Sequence, residues 1–228
     1  DDHLEGANGR DTIDGGSGAD LIFGGGFNDE IYGGSDNDTI RGNTGKDELT
    51  GDRGDDSLMG GNQDDTLWGS EGLDTLLGLN GFDVLWGESG DDHLDGGNAG
   101  DTMDGGLGQD MLIGGDGKDS LLGGDGADTL NGSDGNDTLT GGADDDTFVF
   151  NNGWDADVIT DFSSDDGEVI DFSTVSKILD FVDLIGNHIR DNGGEAEIYA
   201  GNNTILLQGV TVGQIGFGLD YSEADFLF

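Results

Sequence analysis

Counting in nines from Gly6, glycine occupies the first position of sixteen consecutive repeats, the last beginning at Gly141, with no insertion. In the same frame the sixth position is always aspartate: Asp11, Asp20, Asp29, Asp38, Asp47, Asp56, Asp65, Asp74, Asp83, Asp92, Asp101, Asp110, Asp119, Asp128, Asp137 and Asp146. The eighth is always apolar, from Ile13 and Ile22 to Leu139 and Phe148. Residues 114–131, GGDGKDSLLGGDGADTLN, state the phrase almost twice. Asp2 and Leu4 already fit the sixth and eighth positions, so the chain starts mid-repeat and reads as the C-terminal portion of a longer protein.

One apolar residue in nine, flanked by residues such as Ser, Thr and Asp, suits a three-residue strand whose middle side chain points inward. A helix would need apolar residues three and four apart. The remaining GGxGxD reverses the chain, its glycines supplying positive φ and close backbone approach. Two repeats therefore make one 18-residue coil. Coils stacked at the parallel-strand spacing of about 4.8 Å give eight coils in a column roughly 38 Å long. The expected fold is all-β: a right-handed parallel β-roll of two sheets over residues 1–149, followed by a small capping region over 150–228. A single repeat cannot bury its own apolar residue, so neighbours stabilise one another and the ends need caps.

Charge sets the next constraint. The 228 residues include 48 Gly, 51 acidic and 7 basic residues, no Pro and no Cys, for a formal net charge of −44. Self-repulsion of that size opposes compaction, and 32% hydrophobic content offsets it poorly. Scarce Lys and Arg argue against nucleic acid and anionic membrane surfaces, leaving a cation or a basic surface as the expected partner. Without Cys there are no disulfides and no thiolate metal sites. DDHLEGANGR lacks the features of a signal peptide, and no stretch approaches the roughly 18 apolar residues of a membrane anchor.

Turns on one side of the roll come from repeats n and n+2, which places Asp119 over Asp101 and Asp128 over Asp110. Carboxylates stacked about 4.8 Å apart repel unless a cation lies between them. Glycine-rich turns aim carbonyl oxygens at the same gap, so two carboxylates and about four carbonyls form the all-oxygen environment that suits Ca²⁺, and Mg²⁺ fits such a cage poorly. An isolated GxGxD is a plain turn, but sixteen in register are not. The expected metal residues are the sixteen aspartates with turn glycines of both the first repeats (Gly6, Gly15, Gly16 and Gly18) and the most regular run: Gly105, Gly106, Gly108, Gly114, Gly115, Gly117, Gly123, Gly124, Gly126, Gly132 and Gly135. At most about fourteen ions follow, enough to bring −44 to roughly −16. Glycine is replaced at the second position by Ala7, Asn43, Asp52, Ser70, Leu79, Glu88 and Ser133, and at the fourth by Phe27, Asp36, Gln63, Ala99 and Asp144. Sites around Phe27, Gln63 and Leu79 are expected to be weaker, because bulky residues at positive φ are strained.

The phrase G-G-x-G-x-D-x-U-x resembles the calcium-binding nonapeptide of the RTX family. The resemblance covers residues 6–149 and implies a β-roll with calcium held by the sixth-position Asp, carbonyls one and three of one turn, and carbonyls two and four of the next. Beyond Thr147, TFVFNNGWDADVITDFSSDDGEVIDFS is similar to the cap after the roll of secreted serralysin-type proteases. Its alternation suggests strands at Asp157–Phe162 and Glu168–Phe172, with Asp157, Asp161, Asp166 and Asp171 as candidates for one further calcium. A helix is expected from Ser173, with Val175, Ile178, Leu179, Val182 and Ile185 at helical spacing and Gly186 as its stop. Glu197–Ala200 and Thr204–Gln208 read as a hairpin. The terminal ADFLF is similar to the uncleaved signal of type I secretion substrates and equally suits a final apolar strand.

The resemblance implies a bacterial protein secreted by a type I apparatus, unfolded in low calcium and folded outside the cell. No nucleophile–base pair, His pair or HExxH occurs, so no enzyme is expected in this stretch. A catalytic domain of a protease, lipase or sugar epimerase preceding residue 1 is one alternative. Another is adhesion or carbohydrate binding through the ninth-position column of Tyr32, Thr50, Trp68 and Trp86, which could equally stack on itself.

Overall fold

The computed structural model describes residues 1–151, 154–163, 167–215 and 223–228, with the main chain alone at 181, 182, 185 and 223. Among the described residues, successive strands as far as Val169–Asp171 alternate between two sheets, one of 11 strands and one of 12. Within the repeats each strand pairs in parallel with the strand 18 residues on, as in Leu4↔Ile22 and Ile13↔Ile31. The eighth-position side chains therefore stack into one thin core. From Ile22 to Phe148 each is at most 1% exposed.

The strands are longer than the expected three residues. His3–Asn8, Thr12–Ser17 and their successors run from the seventh position of one repeat to the third of the next. Pairing skips only the first position, as in Glu5↔Phe23 followed by Ala7↔Gly25. The cause is the second residue: its positive φ bends the chain without removing its N–H and C=O from the ladder, so half of each glycine turn belongs to the sheet.

The roll continues past the repeats. Thr147–Val149, Ala156–Ile159 and Val169–Asp171 add parallel strands, and Ile159 and Ile170 follow Leu139 and Phe148 in the core ladder. The expected strands at 157–162 and 168–172 are thus present and shorter. The hairpin is Glu195–Ala200 with Asn203–Leu207, antiparallel, and Ile189–Asn192 extends it to close the 12-stranded sheet. Phe226–Leu227 closes the other sheet beside Val169–Asp171, with Phe226 buried. The terminal ADFLF thus supplies a final strand.

The helix departs from expectation. It spans Phe181–Asn187, with Gly186 inside it, and residues 173–180 form turns. Local hydrogen bonds override the apolar spacing: Asp171 Oδ1 accepts from Ser173 N, Val175 N donates to Phe172 O, and Asp180 caps Asp183 N at 2.8 Å. Val175 and Ile178 are buried, but Leu179 is 72% exposed, so no single apolar face exists. The side chains of Val182 and Ile185 lie outside the described residues.

Because the core is one side chain thick, a cavity in it has few neighbours to relax into. Leu85, between Leu67 and Met103, is fully buried. Leu85→Ala is expected to cost about 2–5 kcal/mol in urea denaturation of the calcium-loaded chain. Outward Thr75→Ala is expected to change stability by no more than about 0.5 kcal/mol.

Candidate calcium sites in the turns

Gaps between turns two repeats apart share a plan, and repeats 10 and 12, both with glycine at position four, show its parts. Asp92 N donates to Asp110 Oδ1 at 2.8 Å, tying the lower turn to the upper aspartate. Gly90 N donates to the Leu107 carbonyl at 2.9 Å, so the third-position carbonyl of the upper turn faces down. A methyl group added to Gly87 would collide with both Asp92 Oδ2 and the Gly105 carbonyl oxygen, so these two oxygens converge beside Gly87. From below, the Glu88 carbonyl presses against Gly106 and the Gly90 carbonyl against Gly108. The first-position carbonyl of the upper turn thus converges with the carboxylate oxygen, the third accepts Gly90 N–H, and the second and fourth carbonyls of the lower turn point at the upper one.

That carboxylate oxygen has no partner. Oδ2 of every sixth-position aspartate from Asp11 to Asp146 is buried without a hydrogen bond. From Asp20 onward these residues are at most 3% exposed. An orphaned carboxylate oxygen beside main-chain oxygens, with no donor in reach, fits a hard cation with oxygen ligands. Among the described residues no three His, Asp or Glu side chains gather as ligands, so such a site depends on the main chain.

Burial raises these acids. It pushes Asp65 up to about 8 and Asp74, Asp101 and Asp128 up to about 7, helped by neighbouring carboxylates and opposed by the backbone N–H that each accepts. Asp47, Asp56, Asp83, Asp92, Asp110, Asp119, Asp137 and Asp146 rise to about 6 for the same leading reason, and Asp29 and Asp38 are also raised.

The glycines divide into two kinds. At the second and fourth positions φ is positive in every repeat, and all the non-glycine residues there adopt it too, with Phe27 at 78°, Gln63 at 74° and Leu79 at 77°. The second- and fourth-position candidates Gly16, Gly18, Gly106, Gly108, Gly115, Gly117, Gly124, Gly126 and Gly135 therefore serve conformation, and all but Gly16 also lack room for a Cβ, which at Gly108 would lie 1.8 Å from the Gly90 carbonyl oxygen. The first-position candidates Gly6, Gly15, Gly105, Gly114, Gly123 and Gly132 serve space. At Gly6 an added Cβ would lie 2.7 Å from Asp11 Oδ2 and 2.6 Å from the Gly24 carbonyl oxygen. Its presence in all sixteen repeats was the signal for this second role, which the sequence reading folded into turn formation.

Asp157 extends the column. Asp137 N donates to Asp157 Oδ1 at 2.9 Å, Oδ2 is buried and unpartnered, and burial pushes the acid up to about 7. The two-residue longer spacing breaks the count in nines, but Asp157-Val158-Ile159-Thr160 keeps the D-x-U-x order. Asp161 instead accepts from Gly141 N and Gly142 N, and Asp171 from Ser173 N. Asp157, Asp161 and Asp171 form no joint ligand group, and Asp166 lies outside the described residues.

The outward aromatic column stacks on itself. Trp68 and Trp86 lie ring on ring, 5.1 Å apart and 16° from parallel, so each covers a face of the other. Thr50 separates them from Tyr32, whose hydroxyl donates to Glu30.

These features define a parallel β-solenoid with repeated carboxylate-and-carbonyl gaps along its turns. The sequence matches the family described as RTX calcium-binding nonapeptide repeat (4 copies) at residues 1–31, 32–67, 68–103, 95–130 and 122–159, and the chain belongs to that family. Its repeat region is a calcium-binding β-roll rather than a catalytic fold. A search of curated proteins finds no match. Among solved structures the chain is similar to the extracellular lipase LipA from Serratia marcescens, at 16% identity and a TM-score of 0.29. The alignment covers 93% of this chain and spans 40% of the lipase chain. Among the described residues no helix is long and apolar enough to cross a membrane.

Two outcomes follow. Gly87→Ala, which places a methyl group against both gap oxygens, is expected to weaken calcium binding at least tenfold at that gap. Gly16→Ala, whose added Cβ meets nothing within 4 Å, is expected to cost only the roughly 1–2 kcal/mol of left-handed strain. Isothermal titration of the two variants separates these effects. For pH, the raised acids make the cation-free folded chain bind more protons than the unfolded chain, so their contribution to its stability is fully present below about pH 4 and lost as pH rises through 6 to 8. In chelator, lowering the pH from 8 to 5 is expected to increase β circular dichroism. In saturating calcium it is expected to leave the signal unchanged.

Proposed function

We propose that this chain is a calcium-dependent folding module serving secretion and stabilisation of a larger extracellular protein. The observation that carries the reading is the column of buried Oδ2 atoms from Asp11 to Asp146, each without a hydrogen-bond donor and most beside a first-position carbonyl oxygen of the next turn. The residues that would hold the ions are the sixth-position aspartates, with main-chain oxygens of positions one to four of paired turns. Bound calcium supplies the positive charge that lets these carboxylates stay ionised while buried.

Without that charge, the −44 chain repels itself and its aspartates favour water over the gaps, so the extended state is preferred and suits a narrow export channel. Sites of about 10⁻⁴ to 10⁻³ M, usual for extracellular modules, suffice: ligand at ten times the dissociation constant adds about 1.4 kcal/mol per site. Up to about fourteen such sites act together. Residues 150–228 act as a cap whose strands close both sheets and bury the edges that would template aggregation. The terminal ADFLF serves as a type I secretion signal while the chain is unfolded and as the last strand once it has folded. Folding nucleates near residues 105–172, where the regular repeats meet the cap, and propagates towards the N-terminus.

Circular dichroism during a calcium titration tests the reading, with magnesium as control. A cooperative rise in β signal near millimolar Ca²⁺, absent with Mg²⁺, is expected; a chain fully folded in chelator at neutral pH would refute it. Truncation after Asp146 is expected to raise the calcium requirement several-fold, and an unchanged midpoint would sink the nucleation order.

A further inference from the structure

A second set of side chains crosses the same gaps at a position that the nonapeptide motif leaves open. Position five lies between the left-handed fourth residue and the sixth-position aspartate. It is Asn or Asp in seven repeats, and at six of them, Asn28, Asn37, Asp55, Asp64, Asp91 and Asn136, the Oδ1 accepts the main-chain N–H of position five two repeats later, at 2.8–3.2 Å. This bond runs from the upper main chain to a lower side chain. The sixth-position bond runs the other way, from the lower main chain to an upper side chain, as in Asp92 N to Asp110 Oδ1. The two bonds clamp a gap in opposite directions. Asn and Asp do this alike, so the clamp needs an acceptor oxygen and no charge.

The distribution along the chain is not even. At the fourth position Phe27, Asp36, Gln63, Ala99 and Asp144 hold φ between 74° and 81° without being glycine. In four of these five repeats the next residue is Asn or Asp: Asn28, Asn37, Asp64 and Asp145. Among the eleven repeats with glycine at position four, only Asp55, Asp91 and Asn136 follow it. The clamp itself forms at three of the five strained repeats, through Asn28, Asn37 and Asp64, against three of the eleven with glycine, and the strained residue is the one whose carbonyl must point up into the gap. Beneath Gly45 and Lys46, for instance, the Phe27 carbonyl presses on Gly45 while Asn28 accepts from Lys46 N at 3.1 Å.

We propose that Asn or Asp at position five is a positioning residue: by bonding the next turn it holds a strained fourth residue in its left-handed conformation, so that a cation gap survives the loss of its glycine. The inference rests on the gaps being calcium sites. It also qualifies the expectation that the gap around Phe27 is weak, because Asn28 offsets the strain there.

The test uses the full chain as wild type and as Asn28→Ala, Asn28→Asp, Phe27→Gly and the double variant Phe27→Gly/Asn28→Ala. Bound calcium is counted by equilibrium dialysis at half-saturating Ca²⁺, and exchange of the Lys46 amide proton is followed by NMR. Asn28→Ala is expected to lose about one ion and to speed Lys46 exchange at least tenfold. Asn28→Asp is expected to match wild type, and Phe27→Gly/Asn28→Ala to regain the ion but not the slow exchange. Wild-type calcium content in Asn28→Ala, equal damage from Asn28→Asp, or no rescue by Phe27→Gly would each overturn the inference while leaving the calcium reading intact. A wild-type chain that takes up no calcium would overturn both.

Discussion

Everything in this roll follows from burying one carboxylate per nine residues in register. Strands about 4.8 Å apart stack these acids at a separation where two unit charges repel by about 3 kcal/mol at an effective dielectric of 20. Each Oδ1 accepts a backbone N–H from the coil below, and each Oδ2 is left among carbonyl oxygens. A fold that repeats such an arrangement sixteen times has either neutral acids or a cation in the gap. Burial lifts Asp65 to about 8 and its neighbours to about 6 or 7, so the metal-free chain near neutrality is poised between these two solutions.

The nonapeptide divides its labour by position. The eighth residue makes the core, and its neighbours face outward. The sixth supplies one oxygen to the ladder and one to the gap. Glycine at position one leaves room for that second oxygen and for the carbonyl above it, so it admits no substitute. Glycines at positions two and four supply positive φ, which other residues adopt at a cost as Leu79 and Phe27 do, and most of them also leave room for a carbonyl of the turn below. What sets position one apart is the orphaned oxygen: an added Cβ there would lie 2.3–2.7 Å from Oδ2 of the repeat's own aspartate, and there the chain never varies.

Much of this was legible in the sequence because the register is unbroken. The 18-residue coil, the paired sheets, the stacked aspartates and the core from Ile22 to Phe148 follow from periodicity alone. Strand length was not legible, since a glycine that bends the chain can remain in the ladder. Asp157 was legible as a calcium candidate but grouped with Asp161 and Asp171, because a two-residue insertion masks its place in the column although its D-x-U-x order survives. The helix start at Phe181 depends on the Asp180 cap and on turn bonds at Ser173 and Val175, which apolar spacing does not register. The acceptor role at position five was invisible because Asn and Asp share it with Lys, Leu, Phe and Ala elsewhere in the column.

The most direct test of the account is to locate the ions. Crystals grown in calcium, with anomalous scattering collected at long wavelength, would mark each ion independently of any assumed ligand. The account predicts two rows of peaks along the two turn edges, spaced about 4.8 Å apart, each between Oδ2 of one aspartate and the first-position carbonyl two repeats on. Peaks confined to the outer sheet faces, or empty gaps beside Asp101, Asp110, Asp119 and Asp128 in saturating calcium, would contradict it.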